Sequence, residues 1–390
     1  MDPAYRRAWR PRLCGFLATV GTIKRGRLPA ARPLLSSKKV RGYIWARGPG
    51  ERDHIRKVLA THQSRFRDDA GMDEMAPRLA DISLGDATEQ AALQTWLPID
   101  YRQLTAGRYV GRFREIAVGH QRLVSEFQTQ TVLKRGVMAP DVCTVSFVRT
   151  PDVDGIFSEY PLTDSAVYFC PAGTEFDVKL SGDSEAVYFS FDQTRFLADA
   201  MALDEAYWSA RAGSFFAAHR TGELAAFADA LLRQVTAFPA PPPDQLAGMM
   251  IANTLTAFDR AAAESGVAAK SINLRRRALQ VVRRARDYID HALDRYAFPT
   301  IIDVCRHTGV SQRNLQYCFL EVIELTPVAY LRLARLHRVR AALRDPEAAM
   351  PRVGDVAARW GFWHLSKFAG DYRALFGELP SETLRKRAPR

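Results

Sequence analysis

The segment from Ile301 to Leu331 and the segment from Gly354 to Leu384 carry one pattern twice. Asp303-Val304 corresponds to Asp355-Val356, Gly309-Val310 to Gly361-Phe362, and Thr326-Pro327 to Leu379-Pro380. In each copy an amphipathic helical pattern is interrupted by a glycine. Val304, Val310, Leu315 and Phe319 form the apolar set of the first copy, and Val356, Phe362, Phe368 and Tyr372 that of the second. Glycine accepts the left-handed backbone conformation at no steric cost. Each copy therefore reads as a short helix, a sharp turn and a second helix held at a fixed angle. That geometry leaves the outer face of the second helix free to enter a major groove.

The residues expected on that face suit the task. The first copy offers Gln312, Arg313, Asn314 and Gln316. Arginine pairs well with guanine, and asparagine or glutamine with adenine. The second copy offers Trp363, His364, Ser366 and Lys367, of which His364 and Lys367 suit phosphates or base acceptors. Arg332, Arg335, Arg338 and Arg340 lie on the helix between the copies, and Arg335 is counted with the DNA-binding set. Two units joined by one rigid helix predict half-sites roughly 10 bp apart on one side of the duplex. One such pattern alone fits many helical hairpins. Two copies, a basic joining helix and caps at the expected places are a stronger signal. Thr300 with Asp303 resembles a capping box, and Thr326 precedes an N1 proline at Pro327. Trp360, Phe362 and Phe376 are expected in the core, as are Cys305 and Cys318, while Trp363 is divided between packing and DNA contact.

Charge follows the same division. Residues 1–67 hold 17 Lys+Arg against 3 Asp+Glu, residues 275–390 hold 22 against 12, and residues 68–274 hold 16 against 28. A basic C-terminal third on an acidic middle suggests a polyanion-binding module joined to something else. The 390 residues are enough for two or three domains. The five cysteines show no CxxC pair and no metal-ligand spacing, which suggests reduced thiols in a cytoplasm, and the DNA-binding reading adds an expected association with the nucleoid. No apolar run reaches the roughly 18 residues that span a membrane.

Residues 1–75 read as a basic, disordered extension, with Met72 or Met75 as an alternative first residue. From Arg114 to Phe191, short β-branched and aromatic runs ("REIAVG", "RLVSEFQ", "VCTVSFV", "GIFSEY", "AVYFCPAG", "EFDVKL", "EAVYFSF") suggest a small β-barrel or sandwich. Residues 194–263 read as helices, with "PAPPP" at 239–243 separating the last two. The domain limits expected are 95–263 for a sensor and dimerisation domain, 264–274 for a linker, and 275–390 for the DNA-binding domain.

Residues 277–388 resemble the DNA-binding domain of the AraC/XylS family of bacterial transcription regulators. "DVAARWGFWHLSKFAGDYRALFGELPSETL" and "LQVVRRARDYIDHALDRYAFPTIIDVCRHTGVSQRNLQYCF" carry the resemblance. "GFWHL", "FAGDY" and "LQYCF", with the fainter "GRFREI" and "PAGTEFDVKL", lie in the manner of the regulators of ethanolamine-utilisation operons. The resemblance implies a cupin-like β-barrel with a helical pair, followed by an all-α domain, an α+β chain overall. It implies an activator, dimeric through the middle domain, with promoter DNA, RNA polymerase and a small-molecule effector as partners. The effector would be of the ethanolamine/cobalamin type. Candidate lining positions, by strand position only, are Cys143, Phe147, Tyr160, Tyr168, Cys170 and Tyr188. Three residues depart from the family pattern: Glu324 stands where glycine is usual, and Gly370 and Asp371 lie in the second reading helix. No histidine lies between Gln121 and Phe191, so the barrel cannot present an imidazole cluster. Neither a nucleophile elbow, a P-loop nor a Rossmann glycine pattern is present, so no enzyme activity, metal or cofactor is expected. The competing reading is a low-specificity architectural DNA-binding protein.

Overall fold

The computed structural model describes residues 78–150, 155–220, 223–237, 242–258, 269–345 and 352–386. The extension expected over 1–75 lies outside them.

The N-terminal domain is built on two antiparallel sheets. Its strands, in chain order, are β1 Arg78–Leu84, β2 Ile99–Gln103, β3 Gly111–Val118, β4 Gln121–Gln128, β5 Val132–Val137, β6 Val142–Arg149, β7 Gly155–Phe157, β8 Tyr160–Pro161, β9 Ala166–Cys170, β10 Glu175–Leu180, β11 Ser184–Asp192 and β12 Phe216–His219. The first sheet runs β1-β3-β4-β11-β6-β9-β12, and the second β2-β5-β10-β7-β8. The strand orders are separate, so the described strands do not close into one barrel. Of the two shapes the strand pattern allowed, the sandwich is found.

Alternation sets the faces. On β6 and β11, Cys143, Val145, Phe147, Val187, Phe189 and Phe191 point one way and are fully buried. They pack under helices α2 Gln193–Leu203, α4 Glu223–Ala237 and α5 Pro243–Leu255, with α3 Glu205–Ser209 beside them. The opposite face of the first sheet meets the second sheet and helix α1 Ala87–Ala92.

The sheet starts at Arg78 rather than near residue 95, with β1 paired along β3 from Arg78 opposite Ala117 to Leu84 opposite Gly111. Strands β1, β2, β5 and β12 carry weak signals. In β5, "VLKRGV" puts Lys134 and Arg135 mid-strand, yet both are buried, against Glu126 and Asp287 respectively.

The C-terminal domain is all helical: α6 Ala269–Asp294, α7 Ile301–Thr308, α8 Gln312–Ile323, α9 Pro327–Arg344, α10 Val353–Arg359, α11 Leu365–Phe376 and α12 Pro380–Arg385. Helix α6 begins at Ala269, inside the stretch expected to be linker. One apolar core serves both copies of the repeat, joining Val282 and Ile289 of α6 to Val304, Phe319, Val339, Phe368 and Tyr372.

Candidate nucleic-acid interface

The first copy is assembled by its caps and its glycine turn, the second by its glycine turn, without a side-chain cap on α10 or α11. In the first, Thr300 and Asp303 form a reciprocal capping box, with the Thr300 amide donating to Asp303 Oδ2 at 2.9 Å. Gly309 ends α7 at φ +72, and its N–H donates to Cys305 O at 2.9 Å. Ser311 then caps α8, its hydroxyl accepting from the Asn314 amide at 3.3 Å. In the second copy Gly361 turns the chain at φ +75, and the Phe362 N–H donates to Ala357 O at 3.0 Å. The two glycines hold the left-handed conformation that a helix–turn–helix needs.

The N-terminal faces of both second helices are open. Gln312, Arg313, Asn314 and Gln316 are exposed on α8, and Leu315, Cys318 and Phe319 are buried on its other side. Trp363, 75% exposed, and His364 precede α11, and Ser366 and Lys367 are exposed on it. Two residues the sequence reading passed over share these faces: Tyr317, 61% exposed, and Leu365, 51% exposed. Tyr317 lies four residues beyond Arg313, one helical turn along the same face.

Helix α9 behaves differently from its sequence. Arg332 forms a half-exposed ion pair with Asp371 of α11, so the anomalous aspartate faces a guanidinium of its own domain. Arg335 lies over the Phe362 ring at 5.1 Å and beside the Gly361 turn, which leads directly into Trp363 and His364. Arg338 meets Asp294 at 2.8 Å, and Arg340 meets Asp86 at 2.6 Å and Glu378 at 2.8 Å. Much of this helix's positive charge is neutralised within the chain.

The second sheet packs against the back of the helical domain through buried ions. Arg283 and Arg286 of α6 both meet Asp177 of β10, where Arg286 and Asp177 are fully enclosed. Burial would raise the Asp177 carboxyl, but the two guanidinium groups hold it below the usual carboxylate range. Arg102 of β2 reaches Asp290 at 3.1 Å and the Tyr330 hydroxyl at 2.5 Å. Asp290 is likewise held down to about 2, by Arg102, Arg338 and Arg135 against the effect of burial. His337 Nε2 lies 2.9 Å from Gln103 O, and burial with nearby Arg102 depresses the imidazole to about 4.

Inside the sheet domain lies a second polar cluster. Glu126 accepts from Lys134 Nζ at 2.6 Å, from Gln94 Nε2 at 2.8 Å and from the Tyr101 hydroxyl at 2.7 Å. The Tyr188 hydroxyl and Trp96 Nε1 beside it are buried without a protein hydrogen-bond partner. Of the lining positions expected from the sequence, Tyr168, Cys170 and Tyr188 face this interior, whereas Cys143 and Phe147 face the helices. No group of three or more His, Cys, Asp or Glu that could hold a metal occurs among the described residues.

Residues 304–386 match the helix-turn-helix domain family HTH_18. A curated relative, the "XylDLEGF operon transcriptional activator" of Pseudomonas putida, is 43% identical over 77 residues, 20% of this chain and 24% of its own length. The "Probable thc operon regulatory protein" of Rhodococcus erythropolis is 40% identical over 106 residues, 27% of this chain and 31% of its own. Among solved structures, a "probable AraC family transcriptional regulator" from Rhodopseudomonas palustris is 33% identical, covering 28% of this chain and 99% of that one at a TM-score of 0.26. Residues 304–386 thus form a helix-turn-helix domain of the HTH_18 type, and the two curated relatives that resemble this part of the chain are transcriptional regulators by name. This chain spans under a third of the length of those two curated relatives. Among the described residues no helix is long and apolar enough to cross a membrane.

Proposed function

We propose that this protein is a sequence-specific transcription activator that reads promoter DNA with α8 and α11 and responds to a small molecule held by its sheet domain. One observation carries the reading. Two glycine-turned helix pairs share one core, and each leaves the N-terminal end of its second helix exposed with hydrogen-bonding side chains. Gln312, Arg313, Asn314 and Gln316 supply base readout. Trp363, His364, Ser366 and Lys367 supply positioning contacts as well as readout. Arg335, packed on Phe362 beside the Gly361 turn, belongs to the same DNA-binding set.

The effector reading draws support from the interior cluster around Glu126. Its ionised pair and its two unpartnered donors, Tyr188 and Trp96, suit a small polar ligand. Ethanolamine and a cobalamin are the first compounds to test, by the shift each produces in Tm. A homodimer through the sheet domain is proposed with it, and Met201, Leu203 and Met249 expose apolar surface on the helical layer. RNA polymerase is the expected partner at the promoter, in the cytoplasm of a bacterium.

Selection of binding sites from random duplex DNA tests the central part. The full chain should enrich a motif with two half-sites, and Arg313→Ala should lose preference at one position at a cost of about 1–3 kcal/mol. Enrichment of no motif, with uniform binding that vanishes in salt, would establish the architectural reading instead.

A further inference from the structure

The repeat places Glu324 and Gly377 at equivalent positions, since Thr326-Pro327 corresponds to Leu379-Pro380. Both end the second helix of their copy, and both adopt the left-handed conformation, at φ +63 and φ +69. Glycine is the residue this backbone favours, and the second copy has it. The first copy has glutamate, a residue that rarely adopts a positive φ.

What each position touches explains the difference. Gly377 lies against the backbone of Arg108, in the loop after β2. A side chain there would meet Arg108 N and Cα at 2.8 and 2.9 Å. The neighbouring carbonyls at the end of α11 are held by the same loop. Ala374 O accepts from the Gly107 amide at 2.8 Å, and Leu375 O accepts from Gln103 Nε2 at 2.7 Å. Glu324, at the end of α8, forms an ion pair with Lys179 of β10, a lysine whose side chain is only 3% exposed. The second sheet therefore grips the C-terminal end of both reading helices, one by close backbone approach and one by a charge.

We infer that Lys179 and Glu324, with Gln103 and the Gly107–Arg108 loop, are positioning residues that fix the separation and tilt of the two reading helices, and so the half-site spacing the protein accepts. This rests on the two-helix reading given above. Held at their C-terminal ends, α8 and α11 present their N-terminal ends away from the sheet, where bases are read. With one grip released, the first copy can shift relative to the second while each keeps its own base contacts.

The test uses the full chain and the duplex motif it selects from random DNA. That motif is then rebuilt with the spacer lengthened or shortened by one base pair, and also as each half-site alone. Two variants release the grip from opposite sides. Glu324→Gly supplies the residue its backbone conformation favours, so it does not threaten the fold, and Lys179→Met removes the opposite charge. The wild type should prefer its own spacing by about tenfold or more over either altered spacer, and both variants by about twofold or less, with half-site affinities unchanged. A general loss of stability would lower all these affinities together and leave the spacing ratio intact. Variants that keep the wild-type ratio would overturn the positioning role and leave the regulator reading standing. Failure of the wild type to select any two-part motif would overturn both.

Discussion

At the residue scale, three glycines of the helical domain have different consequences. Gly309 needs its positive φ, so Gly309→Ala should destabilise the domain by about 1–2 kcal/mol although nothing crowds the site. Gly370 sits mid-helix in α11, exposed and with nothing near a built Cβ, so Gly370→Ala should stabilise it by about 1 kcal/mol. Urea midpoints of the two variants should move in opposite directions, and a common direction would contradict the assignment. Gly377 is held open by the Arg108 backbone rather than by its conformation alone. Gly309 and Gly370 stand out in the sequence, but only Gly309, as a turn glycine, announces its reason. The contact that fixes Gly377 comes from a loop far away in the chain, which no local pattern records. Asp371 is similar: in the sequence it is only a departure from the family pattern, and its partner, Arg332 of α9, comes from another helix.

At the scale of elements, the repeat is legible because turn glycines in both copies, and helix caps in the first, are local devices. Thr300, Ser311 and Thr326 each cap the helix that follows. The strands were legible only where the pattern was apolar. β5 escaped because Lys134 and Arg135 sit in it, and their partners Glu126 and Asp287 come from β4 and α6. Lys134→Met should therefore cost about 3–5 kcal/mol, since Glu126 would be left buried without its charge partner. A thermal melt unchanged by this substitution would show that the pair is not structural. The contact between β2 and α9 should also depend on pH. His337 is held neutral, its pKa lowered from 6.5 to about 4. The undocked or unfolded chain takes up the proton first, so stability should fall as pH drops from about 6.5 towards about 4, and His337 should contribute no slope above that window. His337→Gln should flatten this slope in urea titrations at stepped pH, and an unaltered slope would assign it to other groups.

At the scale of the whole molecule, the charge asymmetry of the sequence has two meanings. The basic C-terminal third does present Arg313 and Lys367 outward, but Arg286, Arg338, Arg340 and Arg344 are spent on Asp177, Asp294, Asp86 and Glu89. The acidic middle and the basic end are complementary surfaces of one packed unit as much as separate partners for other molecules. A net charge cannot separate these uses, because it records the number of arginines and not what they face. The salt dependence of DNA binding should accordingly be modest for a domain with so many arginines. Lys367→Ala should reduce the slope of log K against log salt by about 1, and Arg340→Ala by nothing. The two-unit helical architecture was thus within reach of the sequence, whereas the docking of those units against the sheet domain was not. The measurement that tests the account most directly is a hydroxyl-radical footprint of the full chain on its selected duplex. Two protected windows on one face, about one helical turn apart, are predicted. A single window, or protection spread evenly along the duplex, would contradict reading by two helices held in fixed relation.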